Sequence, residues 1–184
     1  MRKLFISLAC VAICCACDAR HNTNVVKEQK NAETEAVANT EDKNEGTEAG
    51  QMAPDFTLKD TNGKSLSLSD LKGKYAIIDF WGSWCVWCIR GMPKMKEYYK
   101  KYSDKLEILG VDCNDPEQKW KDTVKRLELP WKNVYNPKNS YKILEDYDIQ
   151  GFPTKILVDP QGKVVKYVCG EDPAFYTFLD EILK

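Results

Sequence analysis

Cys85 and Cys88, three residues apart in the stretch WGSWCVWC, are the residues of this 184-residue chain best suited to chemistry. Such a pair can clip a metal, staple a loop, or cycle between thiols and a disulfide. Structural zinc takes four Cys or His ligands, commonly as two such pairs. Here Cys113 and Cys169 each stand alone, and the single histidine, His21, lies far upstream. A purely structural disulfide closing so small a loop removes few unfolded conformations and stabilises little. The redox reading fits the spacing best. A cysteine in a helix's first turn meets unpaired backbone N–H groups and the positive end of the helix dipole, which favour thiolate. A second cysteine three residues on lies on nearly the same face and can resolve a mixed disulfide formed at the first. Cys85 is expected as the exposed nucleophile and Cys88 as the buried resolving thiol. No metal is called for, and no cofactor beyond the Cys85–Cys88 disulfide.

Asp79 interrupts the apolar run YAIIDFW. It either points to solvent at a frayed sheet edge, or is a buried carboxyl with a raised pKa that exchanges a proton with Cys88. Pro93 falls inside the helical pattern after Cys88 and should kink that helix. Cys113 and Cys169 follow strand-like runs and read as small buried core residues, with Cys169 within reach of a substrate groove.

The elements that must hold these residues alternate. APDFTLKDTNGKSLSLSDL reads as two short extended segments around an Asn62-Gly63 turn. KYAIIDFWG and LEILGVD read as buried strands. A helix is expected over about 85–102, another beginning near Asp115-Pro116, and a third, short one in SYKILEDYD. WKNVY reads as a short strand, and TKILVD with KVVKYV as a hairpin across Pro160-Gln161-Gly162. FYTFLDEIL closes as an amphipathic helix. The alternation implies an α/β fold, a mixed sheet flanked by helices on both faces.

Residues 52–184 make one domain of ordinary size, with 21 basic against 20 acidic side chains. No basic patch marks a nucleic-acid partner. The chain opens differently. MRKLFISLACVAICCAC is a basic start, a short apolar run and small residues, the shape of a secretory signal. Ala16-Cys17 reads as a lipobox whose Cys17 is lipidated, anchoring the protein without a transmembrane helix. Residues 18–51 carry eight acidic and four basic side chains and no aromatic, which reads as a flexible acidic linker. Export places the domain where disulfides form and persist.

Several spaced motifs together resemble the thioredoxin superfamily, and more closely its exported TlpA/ResA-like branch. They are APDFTL with GKSLSLSDLKGK, IIDFWGSWCVWC, Pro93 five residues after Cys88, GFPT, and ILVDPQGKVV. The resemblance implies a three-layer thioredoxin-like fold with an N-terminal β-hairpin, and a cis Phe152–Pro153 bond beside the CxxC. It also implies Cys85 as nucleophile, Cys88 as resolving thiol and Asp79 as proton-transfer group. Trp84, Val86, Trp87, Phe152 and Pro153 would then face substrate. The chain departs from the branch in Val86-Trp87, where Gly-Pro or Glu-Pro is usual, and in Gly91, where ResA-like members carry a glutamate. The expected protein is a membrane-tethered periplasmic disulfide reductase, monomeric, acting on protein thiols and disulfides and fed by a membrane electron donor. Cytochrome c maturation is one role such a protein serves. A peroxidase of related fold wants Thr three residues before its cysteine, and position 82 is Gly. The alternative from another class is a thioredoxin-fold binding or metal-chaperone module with idle cysteines.

Overall fold

The apolar run around Asp79 forms the middle of a seven-stranded sheet in a computed structural model that describes residues 45–184. The segment 1–17 with Cys17, and residues 18–44 of the expected linker, lie outside the described residues. The strands are β1 (Thr57–Asp60), β2 (Ser65–Ser67), β3 (Tyr75–Trp81), β4 (Leu106–Cys113), β5 (Lys132–Asn136), β6 (Thr154–Val158) and β7 (Val164–Cys169). The helices are α1 (Val86–Lys101), α2 (Glu117–Arg126), α3 (Lys142–Asp146) and α4 (Pro173–Ile182), and a short 3-10 turn covers Leu68–Leu71.

The sheet order is β2-β1-β5-β4-β3-β6-β7, with β3 parallel to β4 and antiparallel to β6. A central strand carries side chains alternately to its two faces, and both faces of β3 are buried. Ile77 and Trp81 point into a core shared with α1, α2 and α4 through Met95, Trp120 and Phe175. Ala76, Ile78 and Phe80 point to the other face, under the 3-10 turn and α3, with Leu71, Ile143 and Tyr147. The fold is the thioredoxin-like three-layer arrangement.

Both hairpins turn by one device. In Asp60–Lys64 and again in Asp159–Lys163, the aspartate Oδ1 accepts from the backbone N–H groups two and four residues on. The glycine, at φ 79° in Gly63 and 92° in Gly162, donates back to the aspartate carbonyl. Gly tolerates that left-handed backbone where other residues strain. Just before the first hairpin, the Gly50 N–H donates to the Val164 carbonyl, and the Val164 N–H donates to that of Gln51.

Candidate active site

The loop WGSW joins β3 to α1, and the β4–α2 loop holds it in place. Ser83 donates twice to Asp115, from its backbone N–H at 2.6 Å and its hydroxyl at 2.7 Å. The Trp84 indole N–H donates to the Cys113 carbonyl at 2.9 Å. Only glycine fits at position 82. A Cβ there would sit 2.4 Å from Trp84 Nε1 and 2.9 Å from the Cys113 carbonyl oxygen. This packing sets where the next residue begins a helix.

Cys85 is the N-cap of α1, and its Sγ accepts from the Cys88 backbone N–H at 3.1 Å. The cysteine therefore satisfies one of the N–H groups that a helix start leaves unpaired. A disulfide joins the two residues, with Cα atoms 5.2 Å apart. Lys100 and Lys101 complement the dipole at the other end. Pro93 lies within α1, which is continuous through it.

The expected exposure of Cys85 is corrected. Cys85 is only 6% exposed and Cys88 2%, because an N-cap side chain bonded to its own helix turns inward toward the core that holds Met92 and Trp81. The exposed surface belongs to its neighbours: Trp84, Val86 and Trp87 are 45%, 59% and 61% exposed. The Arg90 guanidinium lies over the Trp87 ring, 4.9 Å from its centroid. The Phe152–Pro153 bond is cis. Phe152 is half-buried and meets Trp84 edge-on at 5.2 Å, while Pro153 is buried. Trp87, Phe152, Pro153 and Glu171 line a cavity of about 320 Å³. A second cavity, of about 540 Å³, opens on the other flank of Trp87, over Gly91, Lys94 and Tyr176.

Asp79 is not at a frayed edge. It is 1% exposed, in the strand flanked by β4 and β6, on the α1-facing side between Ile77 and Trp81. Neither carboxyl oxygen has a hydrogen-bond partner among the described residues. Burial, opposed by the Lys155 ammonium and reinforced by the Glu171 carboxylate, pushes its pKa up to about 6. That value suits a group exchanging protons near neutral pH.

Four residues, Asp112, Asp115, Lys155 and Glu171, join the site without having been expected there from the sequence. Asp112 is fully buried beside Trp81, and burial followed by its interaction with the Asp115 side chain pushes its carboxyl up to about 9. Burial works against Asp115 as well, yet the two bonds from Ser83 hold its pKa below the usual value. Asp115, through Ser83, clamps the loop ahead of Cys85. Lys155, buried, and Glu171, partly exposed, form an ion pair at 2.5 Å. Cys113 is buried as expected, but Cys169 is exposed, a correction that follows from its place at the end of the edge strand β7. These two thiols are free; β4 and β7 lie on opposite sides of β3.

Residues 49–167 match the model of the AhpC/TSA family. The chain belongs to this family. Its thioredoxin-fold relatives include the thiol–disulfide oxidoreductase ResA of Bacillus cereus strain ZK / E33L, 38% identical over 128 residues, which are 69% of this chain and 73% of the relative. ResA of Bacillus subtilis strain 168 is 38% identical over 127 residues, 68% of this chain and 70% of that protein. Among solved structures, the thioredoxin domain of a Bacteroides vulgatus thiol–disulfide oxidoreductase superposes with a TM-score of 0.69. It is 36% identical and covers 74% of this chain and 99% of its own. Within the AhpC/TSA family the chain is thus TlpA/ResA-like. Among the described residues no helix is long and apolar enough to cross a membrane.

Proposed function

We propose that this thiol–disulfide oxidoreductase is a disulfide reductase, tethered through Cys17 to the periplasmic face of a bacterial membrane. The observation that carries the chemistry is the Cys85–Cys88 disulfide at the start of α1, in the core on the Asp79 side of β3 against which Phe152 of the cis-proline loop packs. In the reduced enzyme the Cys85 thiolate attacks a substrate disulfide, forming a mixed disulfide and expelling one substrate thiolate. Asp79 then takes the Cys88 proton, directly or through one water. The Cys88 thiolate attacks Cys85 Sγ, closing the intramolecular disulfide and releasing the second substrate thiolate. Two electrons pass to the substrate. A dithiol donor of the membrane must return them.

Trp84, Val86 and Trp87 form the rim against which a protein substrate would lie, and Phe152-Pro153 the opposite wall. The reducing direction is supported by the engagement of the nearby cations. Arg90 lies over Trp87 and Lys155 is bonded to Glu171, so neither is committed to stabilising a Cys85 thiolate. The substrates consistent with this site are misoxidised exported proteins, including apocytochromes awaiting haem, met by a monomer.

Insulin reduction driven by dithiothreitol should be catalysed, with an active-site potential well below that of strong oxidants. A potential as oxidising as about −120 mV would overturn the reductase direction. The tether is tested separately. Cys17→Ala is expected to move the protein from the membrane to the soluble fraction with its insulin activity intact, and retention on the membrane would count against the lipid anchor.

A further inference from the structure

Lys155 is 2% exposed, and its ammonium needs a partner in so dry a place. It stands directly opposite Asp79 in the β3–β6 register, so both side chains project from the same face, under α1 and α4. Yet its hydrogen bond goes to Glu171 Oε1, which arrives from the β7–α4 loop. Glu171 has room for this because α1 has no side chain at Gly91, three residues past Cys88. A Cβ built on Gly91 would lie 2.2 Å from Glu171 Oε1 and 2.7 Å from its Cδ. The same carboxylate lines both cavities beside Trp87 and is the partly solvated end of the array.

The charges divide the work. Beside a lone ammonium, Asp79 would be held ionised as half of an ion pair and would be a poor base. With Glu171 on the ammonium, the two outer charges offset one another and burial dominates at Asp79. The other titratable groups on this face are the Asp112 carboxyl of β4 and the Tyr176 phenol of α4, both neutral near pH 7, and the cysteine pair of α1; the Cys113 thiol of β4 lies in the core of the opposite face.

We propose that Glu171 is a positioning residue for the exchange reaction: seated in the notch left by Gly91, it engages the Lys155 ammonium and keeps Asp79 a proton acceptor for Cys88. The proposal rests on the proton-transfer reading of Asp79. Glycine at position 91 is then a requirement of the site, since any side chain there displaces the carboxylate that controls Lys155.

The test is the titration of the Asp79 carboxyl, followed by carbon-13 NMR in the oxidised full chain and assigned with Asp79→Asn. Glu171→Gln frees Lys155 to pair with Asp79, and the midpoint is expected to fall by about one pH unit or more. Lys155→Met is expected to move it upward, and Glu171→Asp to restore much of the wild-type value. A merely structural ion pair would give no such opposed shifts. The pH profile of the resolving step, measured in single turnovers, should follow each midpoint. A midpoint unmoved by Glu171→Gln, or moved the same way by both charge removals, overturns the proposal and leaves the role of Asp79 standing. A resolving step whose pH profile ignores Asp79→Asn overturns that role, and the proposal with it.

Discussion

Cys85→Ser is expected to reduce insulin turnover to the uncatalysed dithiol background, whereas Cys88→Ser keeps the first attack and stalls after it. The two cysteines are chemically alike and differ in where the fold puts them. Cys85 caps α1, and its sulfur accepts a backbone N–H there. Negative charge at that sulfur is stabilised by the helix start. Cys88 lies within the helix, 2% exposed, facing the same core as the Asp79 side of β3. A serine hydroxyl at 85 cannot form the mixed disulfide, so loss should be complete rather than partial. With serine at 88 the mixed disulfide has no resolving thiol and accumulates as a covalent adduct, visible on a non-reducing gel and released by reductant. The same variant expressed in cells would capture the natural substrates. Full insulin activity in Cys85→Ser would sink the nucleophile assignment, and adducts equally abundant in both variants would sink the division of roles.

The exposure of the two sulfurs also shows where sequence reading stops. Spacing and helix period place Cys85 and Cys88 at one helix start, but not which way an N-cap side chain turns. That depends on Gly82 admitting the Trp84 indole beneath the loop and on Asp115 holding Ser83, contacts made across 29 to 32 residues of chain. Strands β3 and β4 were legible because they are buried on both faces and read as apolar runs. The hairpins were legible because Asn62-Gly63 and Pro160-Gln161-Gly162 demand turns. Asp79 was legible as an anomaly within such a run. Lys155 is the same kind of anomaly, in TKILVD, but at the start of a strand nothing local separates a buried lysine from an exposed one. Its partner Glu171 lies 16 residues on, beyond a hairpin. Gly91 showed only a missing glutamate. The carboxylate that fills its place comes from 80 residues away and carries no local pattern.

The carboxyl at Asp79 should weaken the fold it serves, in a way pH can expose. Below about pH 3 the side chain is protonated in both the folded and the unfolded chain. As pH rises from 3.8 to about 6, the unfolded chain gives up this proton while burial makes the folded protein keep it. The folded state binds more protons across that window, so stability falls through it and is level above. A carboxyl moved from 3.8 to about 6 carries about 3 kcal/mol. Asn at position 79 has the same size and never ionises. Its amide brings N–H donors into a site without partners, at a cost of about 1–3 kcal/mol, but that cost is the same at every pH. Asp112, pushed up to about 9, lowers stability over a wider range in both proteins and cancels in the comparison. Urea unfolding of the oxidised protein should therefore show Asp79→Asn gaining on the wild type by about 3 kcal/mol between pH 3 and pH 8. Its resolving step should slow over the same range, since Cys88 has lost its proton acceptor. A stability difference that stays constant from pH 3 to pH 8 would mean that Asp79 does not titrate in this window, and would remove it as the base.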